Sequence, residues 1–117
     1  MRITVTGKQL DVGASLKEHV ETRLEGSVKK YFSHTIEGDV TLSKNAHLYR
    51  AVCKIHIGHS IYLQSSGDET EIYAAFDTAA DKLETRLRRY KRRITNHHKE
   101  RSNGKNDQSN NYTAQYN

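Results

Sequence analysis

Cysteine is almost missing from this chain. One residue in 117, Cys53, carries a thiol, so no disulfide can close within a molecule, as expected of a reducing compartment. Long apolar runs are missing too. No 18 consecutive residues are apolar, and the chain opens on an alternating segment, Arg2-Ile3-Thr4-Val5-Thr6, where a secretory leader would place a charged region and then an apolar one. A membrane span is therefore not expected, and the chain reads as soluble and cytoplasmic. Glycine is sparse: Gly58 and Gly67 stand alone, so there is no phosphate-cradling loop, and no Gly-x-Ser-x-Gly nucleophile elbow occurs. Tryptophan is absent, which weakens any reading of a basic helix as a membrane anchor.

The seven histidines do not make up for these absences. His56 with His59, and His97 with His98, lack a carboxylate or thiolate at ligand spacing, and adjacent histidines on a helix diverge by about 100°. Asp77 and Asp81 share a helix face, as paired catalytic carboxylates could, but they are better read as solvated partners of Arg88 or Lys82. No enzymatic activity, metal, cofactor or small-molecule substrate is expected.

What the chain does have is charge in one place. The twelve residues Lys82 to Arg93 hold seven cations against Glu84 alone, leaving twelve basic and thirteen acidic residues elsewhere in a chain of net charge +5. On a helix of about 100° per residue, Phe76, Ala80, Leu83, Leu87, Tyr90 and Ile94 form an apolar stripe. Lys82, Arg86, Arg89 and Arg93 form a basic stripe on its flank, and Arg88, Lys91 and Arg92 add to it. Like charges one turn apart repel by about 0.2–0.5 kcal/mol per pair, and solvated helix faces usually mix signs. The apolar face suits a core and its flank suits a polyanion such as RNA.

The rest of the chain predicts an α+β domain. Ile3 and Val5 lie on a first strand. Ser15 with Glu18 makes a capping box, after which Leu16, Val20, Leu24, Val28 and Tyr31 recur at helical spacing, with Gly26 a weak point worth about 1 kcal/mol. Three short alternating segments follow, Ile36 to Ser43, Tyr49 to Ile57 and Ser60 to Ser66. They are linked by Lys44 to His47 and by a tight Gly58-His59 turn in which Gly supplies a positive φ. These should form an antiparallel meander. In its middle strand Cys53 should be a buried small hydrophobe. The last helix should be capped by Asp68 or Thr70 and run to about Lys99. The expected order is β-α-β-β-β-α, a four-stranded sheet with two helices on one face, over residues 1–99. Residues 100–117 are expected to be a disordered polar tail: nine of the seventeen from Arg101 are Asn, Gln or Ser, with Tyr112 and Tyr116 candidates for stacking on bases.

Glu71-Ile72-Tyr73-Ala74-Ala75-Phe76-Asp77, then Asp81-Lys82-Leu83-Glu84 and Arg86-Leu87-Arg88-Arg89-Tyr90-Lys91, resembles the second-helix signature of the ribosome hibernation promoting factors, or ribosome-associated inhibitors, of the sigma-54 modulation protein family. The opening Ile3-Thr4-Val5-Thr6-Gly7-Lys8-Gln9, and the first helix's end at Lys30-Tyr31-Phe32, are similar to that family as well, so the resemblance covers about residues 1–98. It implies binding to the small ribosomal subunit and its ribosomal RNA, in the channel for messenger and transfer RNA, with translation inhibited sterically in idle, stressed or stationary-phase cells. By position it implies that Lys82, Arg86, Arg89, Lys91, Arg92 and Arg93 face ribosomal RNA, with Arg23, Lys29 and Lys30 on the first helix as second candidates. Long members of the family pair through a C-terminal domain that these residues do not include, and the first half resembles such members, so the chain is expected to be a possible fragment, a homodimer only with that domain.

The competing expectation is a double-stranded-RNA-binding module or general RNA chaperone, since α-β-β-β-α is that module's order. Such a module carries its lysines at the start of its last helix, whereas this one begins Asp68-Glu69-Thr70-Glu71. A third reading is an adaptor whose basic helix meets an acidic protein.

Overall fold

The computed structural model describes residues 2–33, 37–58 and 61–103, with side chains as far as 96. Its elements run β1 (Arg2–Lys8), α1 (Ala14–Lys29), β2 (Glu37–Asn45), β3 (Leu48–His56), β4 (Tyr62–Glu69) and α2 (Ile72–Asn103), the predicted β-α-β-β-β-α order. The strands lie in sequence order in one sheet. β2, β3 and β4 form the antiparallel meander, while β1 pairs with β2 in parallel, Val5 opposite Val40. Parallel neighbours need a crossover, and α1 supplies it.

Alternation decides which face is covered. Val40, Cys53 and Ser65 lie abreast on β2, β3 and β4, as do Leu42, Ala51 and Gly67, and all point into the layer beneath the helices. Leu16, Val20, Leu24 and Val28 from α1 and Phe76, Ala80, Leu83 and Leu87 from α2 close that layer. Cys53 is fully buried, and burial pushes its thiol up to about 12, so it is a hydrophobe and not a nucleophile. Small residues bring α2 close to β4: a Cβ on Gly67 would lie 2.5 Å from the Ala75 carbonyl oxygen, and Ser65 donates a 2.6 Å hydrogen bond to the carbonyl of Ala79.

Several boundaries differ from expectation. α1 starts two residues early, with Gly13 as its N-cap and no side-chain capping bond, so Ser15 and Glu18 are exposed helical residues and the capping box does not form. Lys17 N–H instead bonds the Gly13 carbonyl at 3.0 Å. The β2–β3 link is shorter than predicted, Ala46 and His47 only, with Ala46 at a positive φ of 56°. At the other hairpin Gly58 does not take a positive φ, and the N–H groups of Ile57 and Gly58 both reach the carbonyl of Ile61. His59 of the predicted turn, and Ser60, expected to open the next strand, lie outside the described residues. β4 runs on to Glu69, so Asp68 is a strand residue: Arg50 on β3 donates 2.8 and 3.1 Å bonds to it and holds its carboxyl below the usual range. Tyr31 lies just past the end of α1, half-buried. α2 extends to Asn103, so residues 100–103, assigned to the tail, continue the helix; the remainder of the expected tail, 104–117, lies outside the described residues. Among the described residues no helix is long and apolar enough to cross a membrane.

Candidate nucleic-acid interface

α2 presents three longitudinal strips. Its apolar strip lies on the sheet, and the two flanks are sorted by charge. Toward α1 it carries Asp77, Asp81 and Glu84, spaced 4-3 and therefore stacked on one side. His19 Nε2 lies 2.7 Å from Asp77, Arg23 donates to Asp81 at 2.8 Å and to Glu84 at 2.9 Å, and Lys30 donates to the other Glu84 oxygen at 2.8 Å. Buried Ser27 adds a 3.0 Å bond to Glu84 and receives one from Arg23. Hydrogen bonds from Lys30, and then from Ser27 and Arg23, hold the Glu84 carboxyl down at about 2 against the opposing effect of its burial. Asp77 and Asp81 are thus partners of α1, not of Arg88 or Lys82, and Arg23 and Lys30 are tied into an interhelical network. Lys29 lies 3.8 Å from Glu25 on its own helix.

The opposite flank overhangs β4, an edge strand. Lys82 Nζ donates to the Ser66 carbonyl at 3.1 Å, and Arg86 donates to the carbonyl of Gln64. These carbonyls belong to alternate residues of the unpaired edge, so the first half of the basic stripe caps acceptors that would otherwise invite another strand.

Beyond Arg86 the surroundings of the cations change. Arg88, Arg89 and Arg92 are exposed and make no ion pair among the described residues. Lys91 sets its ammonium 5.4 Å from the centre of the Phe32 ring and Arg93 sets its guanidinium 5.6 Å from that of Tyr90, which leaves both cationic. The cluster is a dense run of arginine forks, the group best matched to phosphate oxygens. Periodicity had grouped Lys82, Arg86, Arg89 and Arg93 as equals. The structure separates them: Lys82 and Arg86 donate to β4 carbonyls, Arg89 is exposed, and Arg93 lies over the Tyr90 ring.

A family model described as Sigma 54 modulation protein / S30EA ribosomal protein matches residues 3–95. The chain belongs to this family. The match runs through α2 to Thr95 and so takes in all ten candidate cations. Among proteins similar to this chain, the ribosome hibernation promotion factor of Rhizobium meliloti (strain 1021) is 37% identical over 106 residues, covering 91% of this chain and 55% of that protein. That of Bacillus subtilis (strain 168) is 28% identical over 109 residues, covering 90% and 56%. The chain therefore spans about half the length of these curated relatives. Among solved structures, the Thermus thermophilus Protein Y N-terminal domain superposes with a TM-score of 0.70 at 25% identity, covering 77% of this chain and 99% of that one. The family match and the superposed Protein Y N-terminal domain cover the sheet and both helices described above.

Proposed function

We propose that this chain is a ribosome hibernation factor that binds ribosomal RNA of the small subunit, in the cytoplasm, through the second half of α2. Occupying the messenger and transfer RNA channel would block translation sterically and preserve idle ribosomes. The observation that carries the reading is the set of arginines, Arg88, Arg89 and Arg92, that the fold leaves without an ion pair among the described residues. The names of its relatives point the same way.

The mechanism needs no bond made or broken. RNA phosphates supply the counter-charge, guanidinium forks engage two oxygens at once, and condensed cations are released, so affinity falls steeply with salt and depends little on base sequence. Lys82 and Arg86 contribute field to the same surface while remaining on the β4 carbonyls, and Arg23 and Lys30 act mainly by holding α1 to α2.

Co-sedimentation with purified ribosomes and separated subunits across a salt series tests the proposal, comparing the parent with the Arg88→Glu, Arg89→Glu, Arg92→Glu triple variant. The expected result is near-stoichiometric binding to the small subunit, poor competition by naked duplex RNA, and loss in the variant. Equal competition by duplex RNA would make the chain a general RNA binder. Binding that survives in the variant would remove α2 from the interface.

A further inference from the structure

A groove of about 390 Å³ lies where the end of α1 meets the later part of α2, lined chiefly by Lys29, Lys30, Tyr31, Phe32, Lys91 and Ile94. Its volume falls in the range of small-ligand sites, roughly 300–1,000 Å³. Among the described residues, every charged residue lining it is a lysine. Lys29 is largely exposed, Lys30 is anchored from behind by Glu84, and Lys91 lies across the buried Phe32 ring. With Phe32 covered, Tyr31, half-buried against the core, is the partly exposed ring in the groove. Cations beside one aromatic surface form the pairing that nucleotides select: phosphate to ammonium, and base to ring.

We propose that this groove takes one nucleotide unit, its phosphate against Lys29 and Lys91 and its base against Tyr31. The inference rests on the RNA-binding reading and adds to it a contact with a base, where the arginines of α2 would meet only backbone. An A-form helix does not offer such a base, because its bases are stacked and paired, so the occupant is an unpaired nucleotide. The charge run did not include Tyr31, and the helical period assigned it to the core stripe of α1. The Lys-Lys-Tyr-Phe sequence, a basic pair followed by two aromatics at a helix end, was the signal available.

The test is fluorescence anisotropy of a short labelled oligouridylate at low salt, beside an abasic strand of equal length and free uridine 5′-monophosphate. The parent should bind the full strand about tenfold more tightly than the abasic one. Tyr31→Leu should erase that difference, and Tyr31→Phe should keep it. Tyr31-dependent saturation by the free nucleotide would assign the groove to soluble nucleotides, and its absence would assign it to RNA. Equal affinity for full and abasic strands, which needs no variant to measure, would overturn the proposal, as would an unchanged preference in a folded Tyr31→Leu protein. The triple arginine variant separates the two readings. If it loses both strands while the parent shows no base preference, the RNA surface stands and only the groove fails. If it keeps strand and ribosome binding, the arginines of α2 are not the RNA contact and that part of the proposed function fails, whatever the groove does.

Discussion

From Asp77 to Arg86, each charged side chain of α2 has a partner inside the fold: Asp77, Asp81 and Glu84 on α1, Lys82 and Arg86 on the β4 carbonyls. From Arg88 onward, Arg88, Arg89 and Arg92 have no ion pair among the described residues, while Lys91 and Arg93 rest on aromatic rings. The cause is length. A helix of 32 residues is about 48 Å long, whereas a nine-residue strand spans about 30 Å, and burial falls accordingly from complete at Leu87 to 38% exposed at Ile94. Where α2 lies over the sheet its charges hold the domain together. Further along, Arg88, Arg89 and Arg92 stay exposed without an ion pair among the described residues. Identical residue types on one stripe thus do different work according to what lies beneath them.

The largest effect should come from the overhanging half. Arg88→Glu, Arg89→Glu and Arg92→Glu together should weaken ribosome binding by at least about a hundredfold and lower the slope of log affinity against log salt by about 3, with the melting temperature nearly unchanged. A variant that melts much earlier would erase the contrast. Gly67→Ala tests the packed half, where its Cβ would press on the Ala75 carbonyl. A loss of about 1–3 kcal/mol in urea unfolding is expected, and a loss below about 0.3 kcal/mol would mean that α2 does not approach β4 so closely.

Glu84→Gln should cost about 1–2 kcal/mol at neutral pH, because Lys30, Arg23 and buried Ser27 lose a charged acceptor that is only 18% exposed. The pH dependence has a definite sign. A carboxylate held at about 2 in the folded state and near its ordinary value when unfolded contributes its full stability above pH 4.5, and loses it as pH falls from there to about 2. The parent should therefore lose stability through that window and the variant should lose less, as acid titration of the unfolding midpoint would reveal. The smallest effect belongs to Lys82→Gln and Arg86→Gln, at about 0.5–1 kcal/mol each. They should raise self-association through the uncapped β4 edge, seen by sedimentation, and reduce ribosome affinity less than the arginine triple.

The later residues of α2 also mark the limit of reading periodicity. Phe76, Ala80, Leu83 and Leu87 were legible as core because only one face of a helix can meet a sheet, and all four are fully buried. Ile94 continues the same spacing but is 38% exposed. The charge seam was partly legible: Asp77, Asp81 and Glu84 share a side at 4-3 spacing, and Glu84 is the lone acid in the basic window. Their partners were not legible, since His19, Arg23 and Lys30 lie more than fifty residues away in sequence. Capping by Ser15 failed as a guide at the first helix, and capping by Asp68 at the second. Ser15 and Asp68 are good caps by type, but backbone continuity from Gly13 and the cross-strand bond from Arg50 won.

The order of elements, the alternating core face of the meander and the concentration of cations on α2 were determined by sequence alone, because they follow from local periods of two and 3.6 residues and from composition. Tertiary structure decided that β1 would pair in parallel at the β2 edge, that Lys82 and Arg86 would cap β4, and that Arg23 and Lys30 would bind α1 to α2. It also left Arg88, Arg89 and Arg92 without an ion pair among the described residues. A charge is written into the chain by residue type, but whether it is neutralised depends on what the fold brings within about 4 Å of it, and that distance is set by the packing of segments far apart in sequence.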